Sequence, residues 1–331
     1  MASTYSIKQN LAWEQNLNPL VSVITPVFNR PDELHRAFHS VEQQTLRNFE
    51  YIVINDGSEV DLDEIVASFM ERVEFPMLYI KKDQNGGVHT ARNLGVKFAR
   101  GQFAAFLDSD DELPPQTLAR YMEVWESLSE EIKAACSGIT ARCMDEKGCP
   151  ITPPFPENIN DMSVGEARRL LQKIIGEGTG LMRMDIMKQY PWPEPEGVTF
   201  VLESNVWGRI AKKYRGYFIN DILRIYHTET PISYSNGSDM RTYQNVRNCV
   251  FNYAELLNHA DEYCFPLSEK LKMLSKYSVF NIIEKTISGG ESKYPLTNPF
   301  CLFVEKMFYL PAKAVARRYM AARMDISKCS G

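Results

Sequence analysis

Three carboxylates are packed into the run Asp108-Ser109-Asp110-Asp111, directly after an apolar stretch that ends at Leu107. In an open α/β sheet, the carboxyl end of a strand faces the crevice where ligands bind. Carboxylates this close together repel one another, and a bound divalent cation removes that cost. Mg²⁺ or Mn²⁺ held by one or two carboxylates takes its other ligands from water and phosphate oxygens. The run predicts a metal site for a phosphate-bearing ligand; the alternative is an acidic turn that caps the next helix.

The elements that would position this run alternate between strands and helices. Strands are predicted at residues 20–25, 51–54, 77–80 and 102–107, and helices from residue 31, at 62–70 and at 90–99. Such alternation predicts a doubly wound, mostly parallel α/β sheet. Pro26 is expected to end the first strand. After Cys136 the pattern weakens into proline-rich loops at 150–157 and 191–196.

Composition and charge narrow the class of protein. The 331 residues are 44% hydrophobic and 24% charged, which fits a main globular domain with a smaller one. A net charge of -5 argues against nucleic-acid binding. No apolar run is long enough to span a membrane, and the first residues lack a signal-peptide core, so a cytoplasmic protein is expected. The predicted organisation is a leader at 1–18, a catalytic domain at 19–230 and a helical region at 231–331.

Four motifs follow successive predicted strands, and their joint order is more specific than any single motif. They are Thr25-Pro26-Val27-Phe28-Asn29-Arg30, Asn55-Asp56-Gly57-Ser58, Asn85-Gly86-Gly87 with Ala91-Arg92-Asn93, and the acidic run. The first strand is not followed by Gly-x-Gly-x-x-Gly, and the chain contains no P-loop, which argues against a dehydrogenase or a P-loop kinase. Over about residues 20–230 the chain resembles the nucleotide-sugar domain of the family-two glycosyltransferases, which are inverting enzymes of GT-A fold.

The resemblance implies a donor site built from these motifs. Asp56 matches the aspartate that accepts the N–H of a uracil ring, although a turn cap is its simpler role. Pro26 and Asn29 match the loop whose backbone lies against the base. Gly87 permits a close approach of the backbone, and Arg92 matches the arginine near the base and the phosphates.

Within the acidic run, the resemblance gives each aspartate a different role. Asp108 matches the residue that contacts the ribose, and Asp110 matches the ligand of Mn²⁺ or Mg²⁺ at the diphosphate. Asp111 is expected to support these two or to cap a helix. His227 matches a late position that ligates the metal or touches the diphosphate in some relatives, while a structural histidine is the alternative.

Inversion requires a base on the acceptor side, and here the chain departs from the family pattern. The family's base is commonly the aspartate of a Glu-Asp pair set shortly before a Trp or Leu. Aligning Trp207 and Arg209 with the family's helix places Glu203 at the aspartate position and Leu202 at the glutamate position. Glu203 is therefore the predicted base; a shift of one residue would instead place Ser204 there, and serine is not a base.

The expected activity is metal-dependent, inverting transfer of a hexose or N-acetylhexosamine from a UDP-sugar to a hydroxyl of a surface-glycan acceptor. The alternatives are a sugar-nucleotidyltransferase and a non-catalytic protein that binds sugar nucleotides. Expected partners are the UDP-sugar and a glycan or glycolipid acceptor, and a homo-oligomer is left open. Apolar, aromatic and basic residues within 296–331 suit peripheral contact with the inner face of the cytoplasmic membrane, or packing against protein.

Overall fold

A computed structural model describes residues 4–15, 18–162, 178–228, 243–260 and 265–323. Contacts divide the chain into two compact units. The sheet unit comprises Met1–Trp192 and Arg209–Thr230, and the helical unit comprises Pro193–Gly208 and Pro231–Gly331. The domain boundaries at 18/19 and 230/231 stay predictions.

The described residues of the sheet unit form one eight-stranded sheet in the order β1-β4-β3-β2-β5-β7-β6-β8. Its strands are β1 Tyr5–Gln9, β2 Val21–Val27, β3 Phe49–Asn55, β4 Met77–Lys82, β5 Phe103–Phe106, β6 Cys136–Asp145, β7 Gly178–Arg183 and β8 Arg215–Tyr226. The ladders β2–β3, β2–β5, β3–β4 and β6–β8 are parallel, whereas β1–β4, β5–β7 and β6–β7 are antiparallel. The predicted α/β class with a mostly parallel sheet is confirmed.

Helices connect the strands along the chain. They are α1 Leu11–Gln15, α2 Pro31–Glu42, α3 Asp63–Arg72, α4 Val88–Phe98, α5 Thr117–Ser127, α6 Glu130–Ala135, α7 Met184–Gln189 and α8 Ser204–Ile210. Helix α2 begins at a proline, where a missing N–H costs nothing, and it buries Leu34, Phe38 and Val41 on one face. Strands β2 and β3 are buried at every residue, which explains their continuous apolar sequences.

Pro26 lies inside β2 and does not end it, so that prediction was wrong. The residue pairs in register with Ile54 of β3, and the strand continues to Val27. Strand β5 pairs with β2 only as far as Ile24. At Pro26 the strand therefore has a partner on one side only, and proline is tolerated there as it is on an edge strand.

Strand β1 lies within the residues predicted to be a polar leader. It pairs antiparallel with β4, with Tyr5 opposite Lys82. Four of its five residues are exposed, so its sequence lacks the apolar signal of a buried strand. Part of the predicted leader thus belongs to the sheet.

The described part of the helical unit contains three long helices from residue 243 onward: α9 Tyr243–Asn258, α10 Leu267–Ser288 and α11 Pro299–Arg323. Their buried side chains include Val250, Leu257, Leu274 and Ile283, which form one apolar core. The predicted C-terminal helices are confirmed over these ranges, while residues 229–242 lie outside the described part. Among the described residues, no helix is both long and apolar enough to cross a membrane.

A buried carboxylate joins three segments at the amino-terminal end of the sheet. Glu50 of β3 is fully buried and accepts hydrogen bonds from the Ser22 hydroxyl at 2.6 Å and from Nε of Arg100 at 2.8 Å. The Arg100 guanidinium also donates to the carbonyl of Trp13 at 2.7 Å and stacks on its ring. One ionic contact thus fixes α1 against the strands.

We predict that Glu50→Ala lowers the free energy of unfolding by about 3 kcal/mol, because it leaves a guanidinium and a buried hydroxyl without their acceptor. Urea unfolding of the full chain measures the change. Glu71→Ala, at an exposed position of α3, is the matched control and should change stability by less than about 0.5 kcal/mol. Equal midpoints for the two variants would show that the buried contact contributes nothing.

Candidate functional site

The four predicted motifs meet at one edge of the sheet. Strands β2, β3 and β5 are joined by parallel ladders, so their carboxyl ends face the same way. The segments that follow these strands carry Asn29, Asp56 and the acidic run. The sheet therefore gathers Asn29, Asp56 and the acidic run onto one edge.

Asp56 is buried and its carboxylate is already engaged by the protein. It forms an ion pair with the buried ammonium of Lys82, and it accepts the backbone N–H groups of Gly86 at 3.1 Å and Gly87 at 2.8 Å. Thr90 shares the same ammonium through its hydroxyl at 2.6 Å. In this arrangement Asp56 holds the glycine loop, and its contact with a uracil ring stays a prediction.

Asn29 ties the first loop to the second. Its φ of 53° lies in the left-handed region, where asparagine is tolerated better than most residues. Its side-chain oxygen accepts the N–H of Glu59 at 2.8 Å, and its own N–H donates to the Ser58 hydroxyl at 3.0 Å. Gly87, with φ 91°, supplies the other unusual backbone conformation at the start of α4. Contacts within the chain therefore shape these loops.

Asp108 bridges two arginines. One carboxylate oxygen accepts from Arg92 at 2.8 Å and the other from Arg224 at 2.6 Å. Burial disfavours the ionised form, but the two guanidinium groups outweigh it and hold the pKa of the Asp108 carboxyl well below its usual range. Asp108 is thus an anion that fixes two cations beside the ligand crevice.

Asp111 is almost fully buried and acts within the protein. Its carboxylate accepts from Nε of Arg224 at 2.6 Å and from the backbone N–H of His227 at 3.0 Å. The ring of His227 lies beside Glu112, with 2.7 Å between its Nε2 and the Glu112 carboxylate. Asp111 therefore holds Arg224 and the backbone of His227, while its support of a donor site and metal ligation by His227 stay predictions.

Asp110 is paired with a third arginine. Its carboxylate contacts the guanidinium of Arg30, and its backbone carbonyl accepts from Arg36 at 3.2 Å. The Arg30 and Asp110 side chains are only 18% and 15% exposed. Three arginines thus balance the three aspartates of the acidic run by direct contact: Arg30, Arg92 and Arg224.

Arg92 also lies against two aromatic rings. Its guanidinium carbon is 5.9 Å from the ring centroid of Phe106 and 5.7 Å from that of Trp192. Asn93 exchanges two hydrogen bonds of 2.9 Å with the backbone of Trp192. Trp192 is 2% exposed, so it belongs to the packed interior of the sheet unit and presents no open face for a sugar.

Glu203 lies in the helical unit, immediately before α8. Its side chain is exposed, and one carboxylate oxygen accepts the indole N–H of Trp207 at 3.3 Å. Its backbone carbonyl accepts from Val206 and Trp207, which closes the first turn of the helix. Its role as a base stays a prediction.

Two cations of this edge were not among the site residues predicted from the sequence. Lys82 ends β4, and Arg224 lies within β8, three residues before His227. A charged residue at the end of the buried strand β4 is a signal of a partner, but the sequence alone does not identify that partner. Strand β8 is mostly half-buried, so its arginine gives no such signal. Here the partners are Asp56 for the lysine and two aspartates of the acidic run for the arginine.

Comparisons with known proteins agree with this architecture. The family model "Glycosyl transferase family 2" matches residues 22–182. A relative in Campylobacter jejuni, the GalNAc(5)-diNAcBac-PP-undecaprenol beta-1,3-glucosyltransferase, is 24% identical over 228 residues, which are 68% of this chain and 70% of that protein. For several other curated relatives, the match spans less than half of the relative's length, including 21% in one and 13% in another.

Solved structures share the fold. Staphylococcus aureus TarS 1-349 in complex with UDP-GlcNAc superposes with a TM-score of 0.54 at 17% identity, covering 88% of this chain and 79% of that one. The Pyrobaculum calidifontis mannosyltransferase PcManGT, in complex with GDP-Man and Mn²⁺, gives 0.52 at 14% identity, covering 96% and 87%. The family model, and the four motifs that it spans, place residues 22–182 of the chain in the family-2 glycosyltransferases, and the solved structures show the GT-A fold.

Proposed function

We propose that this chain transfers a hexose or N-acetylhexosamine from a UDP-sugar to a hydroxyl of a surface-glycan acceptor, with inversion at the anomeric carbon. The observation that carries the proposal is the paired set of three arginines and three aspartates at the ligand edge of the sheet. Guanidinium groups bind phosphate oxygens strongly. Such an edge suits a nucleoside diphosphate because it offers both cations and carboxylates.

Each residue of the edge has a proposed role toward the donor. Pro26, Asn29 and Asp56 contact the base, and Asp56 selects uracil by accepting its N–H. Gly87 permits a close approach of the backbone to the donor. Two further residues, Arg92 and Asp108, contact the phosphates and the ribose, respectively. The 2.8 Å hydrogen bond from the Arg92 guanidinium to the Asp108 carboxylate supports a preformed pair that needs little rearrangement on binding.

A divalent cation fits the chemistry of this edge, with the nucleotide supplying part of its coordination. Within the described ranges, no three His, Cys, Asp or Glu side chains converge on a metal position. Mg²⁺ and Mn²⁺ nevertheless accept one or two carboxylates and complete their coordination with phosphate oxygens and water. We propose Asp110 as that carboxylate and His227 as a further ligand. The cation would neutralise the charge on the departing nucleoside diphosphate.

The transfer itself needs a base on the acceptor side. In the proposed step, the acceptor oxygen forms a bond to the anomeric carbon as the bond to the diphosphate breaks. The hydroxyl proton passes to the carboxylate of Glu203. The exposure of Glu203 supports this role, because a substrate hydroxyl can approach an exposed carboxylate directly.

The relatives support a proposal for the acceptor and for the cellular location. The name of the Campylobacter relative contains an undecaprenol-linked glycan, which supports a lipid-linked acceptor for this chain as well. We propose a cytoplasmic enzyme that is peripheral on the inner face of the cytoplasmic membrane. A homo-oligomer is compatible with this proposal and is not required by it.

Release of UDP from a panel of UDP-sugars tests the proposed chemistry. We expect Glu203→Gln to slow release by at least about 100-fold, because the amide cannot take the proton of the attacking hydroxyl or water. The matched control is Glu196→Gln, since Glu196 is exposed in the same segment, and this variant should keep the wild-type rate. Full activity in Glu203→Gln would contradict the assignment of the base. Absence of release by the wild-type chain from every UDP-sugar would favour a non-catalytic protein.

The charge balance at the acidic run gives a second prediction. Arg30→Gln removes one of the three guanidinium groups and leaves the carboxylates with excess negative charge. The variant should therefore bind Mn²⁺ about tenfold more tightly than the wild type in the absence of nucleotide. Electron paramagnetic resonance of free Mn²⁺ measures this affinity without any turnover. Arg47→Gln, at an exposed arginine of the same unit, is the control; an unchanged affinity in Arg30→Gln would contradict the prediction.

A further inference from the structure

Helix α11 exposes a row of large apolar side chains. Phe303, Met307 and Leu310 are 66%, 69% and 75% exposed. With Ala314, which is also exposed, they follow the spacing i, i+4, i+7, i+11, which places them on one face of the helix. Large apolar residues in a continuous row on a surface mark an interaction site.

The opposite face of the same helix is occupied by the core of the helical unit. Cys301, Val304 and Ala316 are buried against the other helices. The single acidic residue of α11, Glu305, accepts a hydrogen bond from Asn281 of α10 at 3.1 Å. Among the described residues of α11, the exposed row therefore contains no acidic side chain. Packing inside the unit does not explain why its apolar side chains are exposed.

Basic residues border the exposed row on both sides. At about 100° per residue, Lys306, Lys313 and Arg317 lie along one edge, and Arg318 lies along the other. The helix carries five basic residues and one acidic residue, although the whole chain has a net charge of -5. An apolar stripe between basic edges matches the requirements of a helix that lies in the plane of an anionic lipid surface.

We propose that this exposed face of α11 docks the chain onto a membrane rich in anionic phospholipids. The apolar row enters the boundary between headgroups and acyl chains, and the basic edges contact the lipid phosphates. A second copy of the chain fits this face poorly, because symmetric pairing would bring like charges together. The inference rests on the proposed peripheral location and deepens it by naming the docking face and the lipid chemistry, and docking requires neither nucleotide nor catalysis.

Flotation of the full chain with vesicles tests the docking directly. We expect binding to phosphatidylcholine vesicles that contain phosphatidylglycerol, weaker binding at high salt, and little binding to phosphatidylcholine alone. Met307→Gln/Leu310→Gln should weaken binding to the anionic vesicles at least about tenfold. Lys306→Gln/Arg317→Gln should weaken it as well and remove most of the salt dependence.

The control is Leu267→Gln, because Leu267 is 59% exposed at the start of α10 and lies outside this face. It should bind the anionic vesicles as the wild type does. Failure of the wild type to bind anionic vesicles would overturn the proposal. Equal binding by Met307→Gln/Leu310→Gln would overturn it too, as would a concentration-dependent dimer of the wild type that this variant loses. UDP release is assayed separately, so the docking and the transfer reaction can fail independently.

Discussion

Asp108 accepts hydrogen bonds from two guanidinium groups that come from distant parts of the chain. Arg92 is 16 residues away in sequence, and Arg224 is 116 residues away. Both guanidinium groups are buried, whereas the Asp108 side chain is 32% exposed. A buried charge is costly unless it is paired, so the two arginines require this carboxylate. Their pairing fixes α4 and β8 against the carboxyl end of β5 and shapes the edge of the sheet at which the four motifs meet.

The same constraint explains which parts of the site could be predicted. Asp56 and the aspartates of the acidic run follow strands whose apolar sequences are evident, so their position at the sheet edge was predictable. Lys82 and Arg224 were missed because a strand's sequence gives no information about which distant side chain it will meet. The structure adds that these aspartates form ion pairs with cations of this chain.

The strands of the sheet also divide into those that the sequence predicts and those that it does not. Strands β2 to β5 were predicted because burial on both faces produces continuous apolar sequences. Strands β1 and β7 lack that signal, since β1 is mostly exposed and β7 contains two glycines. Strand β8 has only two fully buried residues among twelve, which hides it from the same reasoning. These strands owe their place to pairing with neighbours, and single-sequence patterns do not report pairing.

Titration calorimetry of the full chain with UDP, GDP and TDP tests most directly whether this edge is a nucleotide-sugar donor site. We expect UDP to bind more tightly than GDP and TDP. Mn²⁺ should strengthen the binding, and Asp110→Asn should remove the effect of Mn²⁺. Equal affinities for the three nucleotides would contradict the role of Asp56 in selecting uracil. No binding of any nucleotide, with or without Mn²⁺, would contradict the donor site itself.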